Sequence, residues 1–344
     1  MYFKGKLTID PSQLTKIQVV KPEGQFKQLF FNITRGKIGD KREVETFKAL
    51  SLIQQLYAAF SGMGINNLVR LNHDDIEIYF DQKGEKDDFK IAVDRYSIEI
   101  DQSMSSYFNT LWMVLEHEDD KFKYLLEISV NRSHEVNQYP IEMIISGLLK
   151  DFRGNQNDEY LKRQLSRYFI SQQDYDDFLR ARQQDFNAFS NQVVFELKKQ
   201  IRIDNVRTTT RKRMTVNREK PGSETTTGKP EFGGTPYQYY GFGDFIGYAL
   251  LWSALTYDSG FHIADTEIVN EAGAMLGSIG AEGIDAVAGS ILDENVPVDE
   301  LGETVGLEGM EELKTGGVEE MAGDSGSWFD GIFDGDGFDF DIDI

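Results

Sequence analysis

Three of the four histidines stand beside carboxylates: His73 in NHDDIE, His117 in LEHEDDK and His134 in RSHEVN. An imidazole next to a carboxylate is raw material for acid–base or metal chemistry. Spacing argues against a shared site. Neighbours on a strand point to opposite faces, and no two histidines show the four-residue helical spacing that aims two ligands at one ion. These histidines therefore read as solvated turns at strand ends, with no metal ligand among them. The chain has no cysteine, which removes disulfides, thiolate nucleophiles and sulfur-ligated metals together. It also lacks a serine nucleophile elbow, a GxxxxGK phosphate loop and an HExxH pair. Paired carboxylates in a cleft are the catalytic option left. The pattern favours a binding protein over an enzyme, and it calls for no cofactor.

The aspartates of DGIFDGDGFDFD approach a calcium loop without completing one. Asp334 and Asp336 have the first spacing, but Phe338 takes the third ligand position and no glutamate closes the loop. The same stretch carries a different chemistry. Trp328, Phe329, Phe333, Phe338, Phe340, Ile342 and Ile344 are apolar anchors, and Asp339, Asp341 and Asp343 alternate with the last of them. Aspartate is a poor strand former, and five aspartates within ten residues repel one another. In an extended tail the pattern suits a protein partner with an apolar pocket and a basic rim, the terminal carboxylate adding an anchor.

From Asp334 to Ile344 this ending resembles the acidic, aromatic carboxy-terminal tips of bacterial and phage single-stranded DNA-binding proteins. It departs from the bacterial tip in ending on Ile344 and in having no proline near the end. The resemblance implies a partner-docking peptide. The body shows no basic groove with stacking aromatics of the kind a strand-binding fold needs.

Charge places the boundaries. The chain of 344 residues has 36 basic and 58 acidic side chains; from Asp258 onward there are 23 acidic residues and a single basic one, Lys314. The first 257 residues thus hold 35 of each sign, and the whole net charge of −22 sits in the last 87, with 16 of the 32 glycines. Such a field repels nucleic acid and anionic membrane and attracts basic partners.

The expected fold class is α+β, a mainly antiparallel sheet with packed helices over residues 1–205, followed by a flexible linker and an acidic, glycine-rich region. Within the body the pattern predicts a hairpin about Pro22-Glu23-Gly24 and a helix from Arg42 to Gly64 on Val44, Phe47, Leu50, Ile53 and Leu56. Strands are expected at Ile76–Phe80, at Phe89–Val93 continuing to Ile100, at Tyr107–His117 and at Phe122–Val130. A helix is expected over YPIEMIISGLLKDF, with Pro140 in its first turn. Two helical pieces over 158–203 are divided near Ser171, a cap for the longer one.

Residues 206–236 read as a basic linker, since seven cations stand among Thr, Gly and Pro without a hydrophobic period. Arg207, Arg211, Lys212 and Arg213 are its candidate anion contacts. Residues 237–257 form an aromatic, apolar segment. There Phe245, Leu250, Leu251 and Trp252 are candidates for a peripheral membrane surface or second partner, the run of 11 apolar residues being too short to span a bilayer. Residues 258–326, acidic and rich in Gly and Ala, read as partly helical, with a helical hairpin over 271–294. Residues 327–344 are the docking peptide. With no apolar secretory core behind the amino-terminal residues, a cytoplasmic location is expected. Nothing in the pattern fixes an oligomeric state.

The reading is a non-enzymatic cytoplasmic adaptor, scaffold or chaperone-like protein that holds a protein partner with Trp328–Ile344. The alternative is an accessory protein of nucleic-acid metabolism, whose tail recruits an enzyme. Third comes a peripheral membrane-associated protein, or an enzyme with an unrecognised carboxylate site.

Overall fold

The computed structural model describes residues 2–11, 15–19, 28, 41–81, 83–151, 163, 166–215, 232–233, 239, 265–269, 275–280 and 283–286. In chain order these form β1 (Tyr2–Pro11), β2 (Thr15–Val19), β3 (Lys41–Glu45), α1 (Ala49–Gly62), β4 (Asn67–His73), β5 (Ile76–Phe80), α2 (Phe89–Glu99) and α3 (Gln102–Ser106). There follow β6 (Thr110–Glu118), β7 (Phe122–Asn131), β8 (Ser133–Glu135), β9 (Ile141–Leu149), α4 (Gln172–Gln200), β10 (Ile203–Thr215), β11 (Thr266–Val269), β12 (Met275–Gly280) and β13 (Gly283–Ala286). The fold is α+β, as its sequence pattern implies. Ten strands make one sheet in the order β13-β12-β11-β10-β1-β9-β7-β6-β4-β5, and β2-β3-β8 make a small second sheet. Every pairing in the large sheet is antiparallel except that of β10 with β11.

One face of the large sheet carries the helices. Alternation along β1 sends Phe3, Leu7 and Ile9 into this core, where Leu52, Ile53, Leu56 and Phe60 of α1 and Phe186, Val193 and Leu197 of α4 meet them. The close approach of α4 depends on two glycines. Phe186 lies over Gly5 and Gly147 on neighbouring strands; a Cβ at Gly147 would stand 2.7 Å from the Phe186 ring, and one at Gly5 would stand 3.2 Å away. Phe3 stacks on the same ring at 5.6 Å. Helix α4 starts where Ser171 caps it, the Ser171 hydroxyl and the Asp174 carboxylate closing a reciprocal capping box.

Several sequence expectations are corrected. Ile141–Leu149 is strand, not helix: β9 lies between β1 and β7, and Ile141, Met143, Ile144, Ile145, Leu148 and Leu149 are buried. A strand covered on both faces reads as a continuous apolar run, which a helix period also fits. Phe89–Glu99 is helix, not strand. Phe89, Ala92, Val93 and Tyr96 face the core at helical spacing, while Ile91 and Ile98, which suggested alternation, are 62% and 83% exposed. The helix expected from Arg42 begins at Ala49, and Val44 belongs to β3, the partner of β2. The return arm of the hairpin read about Pro22 lies outside the described residues.

The start of the expected linker is strand too. β10 runs to Thr215 and pairs with β1 along nearly its whole length, Tyr2 opposite Arg213 and Ile9 opposite Val206. Its three consecutive threonines are β-branched and suit a strand. Met275–Gly280 and Gly283–Ala286, read within a helical hairpin, pair instead as strands β12 and β13 and join the same sheet through β11. No helix among the described residues is long and apolar enough to cross a membrane.

Candidate functional site

The second face of the sheet holds its buried charges. The period of two that turns Phe3, Leu126 and Ile128 to the helices turns Tyr2 and Lys4 of β1, Ser146 and Leu148 of β9, Leu125 and Glu127 of β7, and Trp112 and Val114 of β6 the other way. Register brings them together, with Lys4 opposite Ser146, and Glu127 between Val114 and Ile144. Tyr2, Val69, Val114, Leu125, Leu148 and Tyr239 form a small apolar cluster around them.

Glu127 is fully buried, and one of its oxygens, Oε1, accepts from the Tyr239 hydroxyl at 2.7 Å and from the Gly233 N–H at 3.1 Å. The Lys4 ammonium, also buried, donates to the Gly233 carbonyl at 3.0 Å. The Phe232 ring meets Trp112 edge to face at 6.5 Å, and the Arg70 guanidinium lies 4.6 Å over the Trp112 ring. Arg70 is itself bonded to Asn72 and Glu77.

Burial sets the protonation of this group. It pushes the Glu127 carboxyl up to about 7, against the opposing Tyr239 hydrogen bond and Lys4 charge. It lowers Lys4 to about 8, assisted by the positive Arg213. It raises Tyr239 far above the ordinary phenol range, with the Glu127 charge acting in the same direction. Lys4 and Glu127 hold the backbone of Gly233 from both sides, one at its carbonyl and the other at its N–H.

The histidines are not the solvated turns expected of them. His73 is buried with Nδ1 2.7 Å from the Tyr96 hydroxyl, and His134 is buried with Nε2 3.2 Å from Glu45. The His117 ring stacks on Phe189 at 5.8 Å. Burial lowers the pKa of His73 and His117. Burial would lower His134 as well, but hydrogen bonds to Glu45 and the Glu135 carbonyl and the charges of Glu45 and Glu43 raise it on balance.

The candidate anion contacts lie on β10 and are divided between its faces. Arg213 and Arg211 approach Glu267 of β11 at 2.8 and 3.7 Å, and Arg207 lies 4.9 Å over the Tyr139 ring. Lys212, opposite Phe3 in register, is partly buried, and burial lowers its pKa. Phe245, Leu250, Leu251 and Trp252 lie outside the described residues, as does the tail from Trp328 to Ile344.

The Lys4–Glu127 pair has no distinctive sequence pattern. A faint signal exists in YLLEISV, where Glu127 is the one charge in a run that is mostly apolar on both faces. Compared with known proteins, the chain matches no family model, no curated protein and no solved structure.

Proposed function

We propose that this protein is a non-enzymatic adaptor that binds a protein partner through its acidic, aromatic carboxy-terminal stretch, with the α+β body as its folded carrier. The observation that carries the reading is the segregation of charge. All 22 net negative charges lie beyond residue 257, and the chain ends in anchors that alternate with aspartates. A partner with an apolar pocket and a basic rim complements that pattern. The engagement of Arg213 and Arg211 with Glu267 weighs against a nucleic-acid role for β10.

The test is a capture from native lysate with the full chain and with a chain ending at Ser327, followed by titration of a labelled 327–344 peptide into any protein held only by the first. Replacement of Phe338 and Phe340 by serine should weaken that binding about tenfold or more, and raised salt should slow association. Identical captures by the two chains would overturn the reading.

A further inference from the structure

Phe232, Gly233 and Tyr239 lie on the second face of the sheet as a bound peptide would. Gly233 offers its N–H to Glu127 and its carbonyl to Lys4, so both polar groups of one residue's backbone are held by opposite charges. Phe232 supplies an aromatic contact to Trp112, and Tyr239 returns a hydroxyl to Glu127. Glycine is favoured at the held position for two reasons. Its φ is +79°, a left-handed conformation, and a Cβ there would meet the Ile144 side chain at 3.3 Å. The arrangement therefore selects a backbone with an aromatic residue directly before a glycine.

A second observation is independent of the first. Glu127 Oε2 and Ser146 Oγ, on two residues that are fully buried, and the buried Trp112 Nε1 have no hydrogen-bond partner among the described residues. Each such group is destabilising if it stays unpaired. An acceptor, a hydroxyl and a donor on the adjacent strands β7, β9 and β6 are the complement of the N–H and C=O groups of an extended chain. Lys4 and Glu127 offset each other, so an uncharged backbone suits the contact better than a charged ligand.

We propose that the sheet face around Lys4, Glu127 and Trp112 is a peptide-binding site. Its ligand is a segment of a separate polypeptide that carries an aromatic residue followed by glycine, and Phe232, Gly233 and Tyr239 hold that place in cis. The incoming peptide displaces the chain's own residues and pairs the groups they leave bare. The site is independent of the tail reading, because among the described residues its contacts come from Phe232, Gly233, Tyr239 and the strands.

The test uses a fluorescent peptide of residues 229–241, KPEFGGTPYQYYG, titrated by anisotropy into full-length proteins. Loosening the cis contacts with the double substitution Phe232→Ser and Tyr239→Phe should tighten peptide binding about tenfold or more over wild type, since the competitor no longer fills the site. Adding Glu127→Gln should lose that gain, and a peptide with Gly233→Val should not bind. Equal affinity of wild type and the loosened variant, or indifference to Glu127→Gln, overturns the proposal. Should the loosened variant fail to fold, a photoreactive benzoylphenylalanine in place of Phe232 in the peptide replaces it. With wild-type protein, adducts must then map to β6 or β7 beside Trp112, and adducts elsewhere overturn the proposal. So does a wild-type dimer that the loosened variant dissociates, because a second copy would then be the ligand.

Discussion

A carboxylate in the middle of a sheet needs compensation, and Glu127 receives it from a hydroxyl, a backbone N–H and the nearby Lys4 ammonium. Its pKa is raised above the ordinary 4.5, so the folded protein binds this proton more tightly than the unfolded chain does. The stability it contributes is complete below pH 4.5 and declines as pH rises toward 7. Urea unfolding of wild type and Glu127→Gln across that window should show a difference that falls with rising pH and levels off above it; a constant difference would contradict the burial. The histidines offer a direct reading by NMR titration. His134 should titrate above 6.5, and His73 and His117 below it. Glu45→Gln removes the main groups holding His134 up, and its titration should move down. Stability that depends on the His134–Glu45 pair is present below pH 6.5 and lost as pH rises through the folded value.

The elements are held by contacts as specific as those charges. Helix α4 packs against the sheet because Gly147 and Gly5 leave room for Phe186. Gly147→Ala places a methyl group 2.7 Å from a ring that cannot retreat, since Phe3, Phe122 and Tyr124 surround it. A loss of about 1–3 kcal/mol in chemical denaturation is expected. Phe186→Ala leaves a cavity instead and should cost about 3–5 kcal/mol. At the start of the same helix, Ser171→Ala removes the capping hydroxyl and should cost about 1 kcal/mol. The Ser171 cap is legible in the sequence because capping chemistry is local. The identity of β9 is not, since a buried strand and a buried helix draw on the same apolar residues.

At the scale of the molecule, the acidic region is not wholly separate from the body. β11 pairs in parallel with β10, Glu267 engages Arg213 and Arg211, and the β12–β13 pair extends the sheet. A chain ending at Gly260 would leave β10 as an open edge with those arginines unopposed. Light scattering should show it aggregating more readily than the full chain, whereas equal behaviour would mean that β11 adds little protection.

The sequence by itself determined the α+β class, the strands β5, β6 and β7, the start of α4 and the concentration of negative charge after residue 257. Each of these rests on local information, whether periodicity, a cap or a count of charges. Only the tertiary structure decided that β9 is a strand, that Phe89–Glu99 is a helix, that the basic stretch from Arg207 pairs with β1, and that Lys4 and Glu127 enclose Gly233. Those outcomes depend on which segments cover one another. Lys4 and Glu127 are 123 positions apart in the chain, and Gly233 is a further 106 from Glu127. Strand register brings Lys4 and Glu127 to one face, where both bond the backbone of Gly233.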